Sequence, residues 1–163
     1  MRELGLKARI RKIRYRSYKG SIGRIAANEL DRNFTSNSPN EKWLTDVTQV
    51  NIKGEKMYFS PILDTFNGEI IAYRISDSPD LKMVTDMLVQ AKKRRSKKDR
   101  TILHSDQGWH YQHAQYQKMV KQMGMTQSMS RKGHCLDNAM MENFFGIMKF
   151  ELFYLFDFDL MDL

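Results

Sequence analysis

Three acidic side chains stand in settings that could do chemistry: Asp46 in WLTDVTQV, Asp106 in ILHSDQGWHY and Glu142 in CLDNAMMENFFGIMKFE. The first two belong to strand-like apolar runs, the third to a helix-like one, and 35 residues separate Asp106 from Glu142. Carboxylates converging from two strands and a helix offer hard oxygen ligands, which suit magnesium, with manganese able to substitute. Two such ions held roughly 3.5 to 4 Å apart can clamp both the attacking and the leaving oxygen of a phosphodiester. A central strand seldom carries an Asp without a metal or a partner, and Gly108 lets the chain turn away directly after Asp106. On the helix-like run, Glu142 and Lys149 differ by only about 20° around the axis. Asn138 lies one turn earlier on the same face, so Asn138 and Lys149 are read as a DNA-facing edge beside the acid.

Taken singly, an Asp or Glu is more often a solvated or turn-capping group. Asp64, Asp80, Asp86 and Asp137 are read that way; joint placement sets Asp46, Asp106 and Glu142 apart. His104, His110, His113 and His134 invite a zinc site, but their neighbours look loop-like and the carboxylates compete better for a hard cation. Trp43 and Trp109 are read as core or pocket walls rather than as base-stacking platforms.

The elements that must position these residues follow from periodicity. After a Ser, Asn and Pro-rich linker ending near Asn40, the β-rich stretches WLTDVTQV, KMYFSPILDTF and EIIAYRIS predict three antiparallel strands, the last two joined at Asn67 and Gly68. Leu81, Val84, Met87, Leu88 and Ala91 make a helical stripe opened by a Ser or Asp cap. It ends in the basic run Lys92 to Arg100, whose charge suits a helix C-terminus and offers DNA contact as the alternative. TILHS predicts a buried strand, QYQKMVKQMG a helix with a Gly stop, TQSMS a short strand, and Asp137 with Asn138 opens the last helix. The order is βββαβαβα, with room for a turn or two of helix in SIGRIAANELDRNF. Residues 1–40 are read as basic arm and linker, 41–154 as the catalytic core, and 155–163 as an aberrant acidic and apolar tail.

Composition narrows the function classes. The chain has 163 residues and a net charge of +8, and the nine basic groups of residues 1–24, set against Glu3 alone, account for all of it. Such an arm suits a phosphate backbone, with Arg9, Arg11, Lys12, Arg14, Arg16 and Lys19 as its DNA-binding candidates. One cysteine, Cys135, excludes an internal disulfide and a Cys-rich zinc site. No apolar run reaches the roughly 18 residues of a membrane span, and the arm lacks the Ser-rich, acid-free character of a transit peptide. The expected location is the cytoplasm.

PNEKWLTDVTQV, HSDQGWHYQHAQY and SRKGHCLDNAMMENFFGIMKFELF together resemble the catalytic domain of insertion-sequence transposases, the second-frame products of two-frame bacterial elements, within the retroviral integrase superfamily. The resemblance covers nearly the whole chain to about Tyr154, and Lys149 matches the family's basic residue seven positions after the glutamate. It implies an α/β, ribonuclease-H-like fold, a mixed five-stranded sheet flanked by helices. It also implies two magnesium ions on Asp46, Asp106 and Glu142, a metal-activated water or 3′-hydroxyl as attacking group, and no protein nucleophile. Its implied partners are DNA, both element ends and target, and further copies of the chain in a nucleoid-associated complex, with no membrane. Nothing in it implies base flipping. Family members usually carry an upstream helix-turn-helix region and a longer downstream segment, so a truncation at both ends is expected, and with it loss of end-specific recognition. His134 stands where an Asn is more usual. Two other readings share these residues: a catalytically silent remnant that binds DNA or interferes with a full-length transposase, and a nuclease of the same fold acting on hybrids or branched DNA.

Overall fold

A computed structural model describes residues 23–96, 98–133 and 135–154. The arm residues Arg9, Arg11, Lys12, Arg14, Arg16 and Lys19, His134 and the tail 155–163 lie outside the described residues. Six strands form one mixed sheet: β1 (Lys42–Thr45), β2 (Thr48–Ile52), β3 (Glu55–Asp64), β4 (Ile70–Ser76), β5 (Ile102–Ser105) and β6 (Thr126–Met129). β1 and β2 both pair antiparallel with β3, β4 pairs with the other edge of β3, and β1, β5 and β6 run parallel.

The expected first strand is thus present in two pieces. Their registers are continuous, with Thr45 opposite Ile62 in one and Thr48 opposite Phe59 in the other, which sets Asp46 opposite Pro61. Proline has no N–H to give the ladder, and the Pro61 carbonyl instead accepts from the Thr45 hydroxyl at 2.9 Å. The ladder therefore opens at Asp46 and resumes at Thr48, and β2 leads into β3 through a tight turn in which Lys53 and Gly54 take φ of 50° and 81°.

β1 is buried along its whole length because the sheet is covered on both faces. On one face, α1 (Leu81–Lys92) and α3 (Ala114–Gln122) bring Val84, Met87, Leu88, Tyr116 and Val120 against Trp43, Ile62 and Leu103. On the other, α4 (Ala139–Met148) brings Met141 and Phe145 against Leu44 and Leu63. Asp80 caps α1 by accepting from the Met83 N–H at 2.8 Å, and Asp86 pairs with Lys82 one turn away on its surface. A short helix α2 (Trp109–Gln112), absent from the expected order, follows Asp106.

Residues 23–40 hold no helix. This segment straps the sheet: Leu30 is buried in the α4-side core, the Met129 N–H donates to the Ala27 carbonyl and the Glu29 N–H to the Ser128 hydroxyl. Much of the basic run is also occupied. Arg94 pairs with Glu69, and Arg95 closes the C-terminal end of α3 by donating to the Met123 carbonyl and to Thr101. Among the described residues, no helix is long and apolar enough to cross a membrane.

Candidate active site

Parallel pairing explains how two acids sixty residues apart come together. The register sets Leu44 of β1 beside His104 of β5, and Asp46 and Asp106 each follow two residues later, at the C-terminal ends of neighbouring strands spaced about 5 Å apart. That edge is where open α/β sheets receive ligands. Both carboxylates line one cavity of about 280 Å³, with Val47, Tyr58, Pro79, Trp109 and His110 among its other walls.

Each carboxylate is oriented by neighbours. Asp46 Oδ1 accepts from the Val47 N–H at 2.7 Å and Oδ2 from the Asn138 amide at 3.0 Å. Asp106 Oδ1 accepts from the Gly108 N–H at 2.8 Å. Gly108 leaves room for this: a Cβ there would meet that oxygen at 2.9 Å. Burial, and next the charge of Asp106, push the Asp46 carboxyl up to about 7 from 3.8, with Glu142 adding a smaller push in the same direction. Burial also raises Asp106, while the Gly108 N–H and His110 oppose it.

Glu142 sits in the first turn of α4, exposed, where the helix dipole favours an anion. It is near enough to Asp46 to be felt electrostatically, yet among the described residues no three His, Cys, Asp or Glu stand close enough to hold a metal ion together. Lys149 caps the C-terminal end of α4, half-buried, where α4 passes into a π-helical turn over Lys149–Tyr154.

Three sequence expectations are corrected. Asn138 does not present a DNA-facing surface: it is only 6% exposed and its amide is given to Asp46. Asp137 is not a solvated cap but the centre of a clamp, accepting from Arg32 at 2.8 Å, from Arg131 at 3.1 Å and from Asn28 at 3.0 Å. The side-chain hydrogen bond from Arg131, followed by that from Arg32, holds its carboxyl well below the usual range against the opposing effect of burial. His104, expected beside loops, is a core residue of β5. One ring nitrogen meets the Ser128 hydroxyl at 2.8 Å and the other the Asp137 carbonyl at 2.9 Å, and burial holds its pKa down. His104 and Asp137 therefore fix the backbone that carries Asn138 to Asp46. The sequence signal was available in the Asp137 and Asn138 pair before α4, but the partners of both come from distant segments. Trp43 is core, whereas Trp109 is a cavity wall left 38% exposed.

Residues 36–135 match the family described as Integrase core domain. The chain is 51% identical over 158 residues to a protein designated transposase InsK of element IS150 in Escherichia coli K12, covering 97% of this chain and 56% of that one. It is 50% identical over 154 residues to a transposase-like protein of Haemophilus influenzae, covering 94% and 71%. With the transposase InsF of element IS3A from Escherichia coli K12 it shares 32% over 152 residues, covering 93% and 53%. The chain thus spans little more than half the length of two of these relatives. Among solved structures, the intasome of simian T-cell lymphotropic virus in complex with the PP2A regulatory subunit B56 gamma superposes with a TM-score of 0.68 at 18% identity, over 86% of this chain and 47% of that one. The HTLV-2 integrase catalytic core in complex with magnesium gives 0.52 at 21% identity, over 68% of each. At such identities the likeness is one of fold, and it agrees with the ribonuclease-H-like sheet described above. The matched span contains β1 to β6 and both sheet-edge aspartates, and the chain belongs to the integrase core domain family, with relatives that are named as transposases of bacterial insertion elements.

Proposed function

We propose that this chain is the catalytic domain of a DDE-type transposase, cleaving DNA and transferring strands through Asp46, Asp106 and Glu142. The observation that carries the proposal is the register-matched pair of half-buried aspartates at the ends of β1 and β5. Two carboxylates in one cavity, one pushed up to about 7 by burial and by the other, are a donor set in want of positive charge, and among the described residues no Lys or Arg lines it. Hard oxygen donors of this kind fit magnesium or manganese, with Glu142 as the third ligand. When bound, such ions would supply Lewis acidity to the phosphodiester oxygens and to the attacking hydroxyl. The protein's own part is orientation: Asn138 and the Val47 N–H fix the Asp46 carboxylate, and the Gly108 N–H fixes that of Asp106. Lys149, on the Glu142 face of α4, would take a DNA phosphate, and the basic arm would add contacts whose strength falls with salt.

Nicking of supercoiled plasmid in manganese tests this reading. Wild-type chain is expected to nick and Asp106→Asn to lose about a hundredfold or more; nicking that persists unchanged in the variant removes Asp106 from the site.

A further inference from the structure

β6 stands at one end of the sheet's pairing order. Residues 23–35 lie outside the matched family span, and of these 26–29 run beside β6, where the Met129 N–H donates to the Ala27 carbonyl at 3.2 Å. Covering an open strand edge prevents pairing with another chain, and that contact serves such a purpose. It does not account for Asp137, whose side chain is fully buried and which the same strap holds from two directions. Asn28 donates to its Oδ2 at 3.0 Å and Arg32 to its Oδ1 at 2.8 Å. Between them the chain turns with Asp31 and Arg32 at φ of 41° and 64°, left-handed values that are costly for residues other than glycine. Asn28 Oδ1 holds that turn by accepting from the Leu30 and Asp31 N–H groups.

A second route reaches the backbone of Asp137. The Glu29 N–H donates to the Ser128 hydroxyl at 2.9 Å, Ser128 Oγ meets His104 Nδ1 at 2.8 Å, and His104 Nε2 meets the Asp137 carbonyl at 2.9 Å. A carbonyl only accepts, so Nε2 carries a proton. Burial keeps the ring neutral at pH 7, and Nδ1 therefore accepts from the Ser128 hydroxyl. Donation runs one way, from the strap to the peptide unit that joins Asp137 and Asn138. Asn138 precedes α4 at the position where an Asn side chain ordinarily caps a helix, yet it makes no capping hydrogen bond. Its amide goes to Asp46 Oδ2 instead, at 3.0 Å, in a direction set by the backbone that Asp137 anchors.

We propose that this strap belongs to the catalytic machinery: residues 28–32 set the direction of the Asp46 carboxylate through Asp137 and Asn138, with Asn28 and Arg32 as positioning residues. Asp46 matters here as a metal ligand of the proposed function, on which this inference rests. Displacing a reacting group by about 1 Å can cost about a hundredfold in rate. Removing one donor of the clamp, with Arg32 and Arg131 left in place, is expected to cost about tenfold.

Asn28→Ser separates the two duties of Asn28, because a serine hydroxyl still accepts from the N–H groups of the turn but is too short to reach Asp137. Solvent exchange of the Asn138 side-chain amide protons is followed by NMR in the metal-free full chain, with the resonance assigned by its loss in Asn138→Ala. Plasmid nicking in manganese is measured alongside. Asn28→Ser is expected to speed that exchange about tenfold and to slow nicking about tenfold, and to slow nicking no further in a chain that already carries Asn138→Ala. A strap that only covers the sheet edge would give the same loss in both backgrounds. Exchange unchanged in Asn28→Ser, wild-type nicking indifferent to Asn138→Ala, or a loss as large with Asn138→Ala as without it overturns the proposal. Ser128→Ala, which cuts the second route, takes the same two readouts if Asn28→Ser fails to fold. Faster Asn138 exchange in a chain that never nicks supports the positioning and counts against the proposed function. Nicking that requires Asp106, with Asn138 exchange indifferent to Asn28, leaves the function standing and overturns the positioning.

Discussion

Replacing Asp46 with asparagine is expected to stabilise the metal-free protein, although it destroys the site. The unfolded carboxyl loses its proton near 3.8, whereas the folded one, raised by burial and next by Asp106, holds it to about 7. Between those values the unfolded chain binds fewer protons than the folded one, so stability falls as pH rises, and above about 7 the penalty is constant. A shift of this size corresponds to a ceiling of about 4 kcal/mol at roughly 1.4 kcal/mol per unit. Asp46 keeps part of its surface on the cavity, so solvent screening reduces the expected gain to about 2 kcal/mol. The carbonyl introduced by Asp46→Asn would still accept from the Val47 N–H, and its new N–H group would face Asn138, whose amide can turn over to accept through Oδ1. The assay is urea unfolding of wild type and Asp46→Asn in EDTA from pH 4 to pH 8. The variant is expected to match wild type near pH 4 and to exceed it increasingly up to pH 7. A variant that is less stable at pH 8, or whose advantage does not change with pH, would refute the reasoning.

Gly108→Ala is expected to disable the site without unfolding it. The backbone there, φ −56° and ψ 144°, suits any residue, but the new Cβ would lie 2.9 Å from Asp106 Oδ1, and displacing a reacting group by about 1 Å can cost about a hundredfold in rate. Plasmid nicking should fall by that order while the thermal midpoint stays within a few degrees. Asp137→Asn is expected to cost about 1 to 3 kcal/mol in urea at pH 7, a modest figure because Arg32 and Arg131 can be rehydrated. Since the folded carboxyl is held low by these arginines, its contribution is present above the unfolded value and lost with acid, so the deficit should shrink below pH 4.

The sequence exposed what depends on local pattern. The Asn67 and Gly68 hairpin, the stripe of α1 with its Asp80 cap and the short buried strand before Asp106 all follow from neighbours within a few residues, and the structure has each of them. Both sheet-edge aspartates were visible as acids in apolar runs. What was not legible depends on pairing across the fold. The break at Asp46 comes from Pro61 on the facing strand, and Asp137 is buried because Arg32 and Arg131 arrive from either side. Asn138 looked outward on a helical wheel, but it sits in the turn before α4, where the sheet edge rather than the helix face decides its neighbour. Trp109 shows the same limit, since its exposure follows from where α2 lies against the cavity.

The central claim is that Asp46, Asp106 and Glu142 form one cation site. A crystal of the full chain soaked in manganese and measured at the manganese absorption edge tests it most directly. The account predicts an anomalous peak coordinated by the Asp46 and Asp106 carboxylates, with Glu142 as a further ligand, and loss of that peak in Asp106→Asn. Manganese found only elsewhere on the protein, with the aspartate pair still empty at saturating metal, would contradict it.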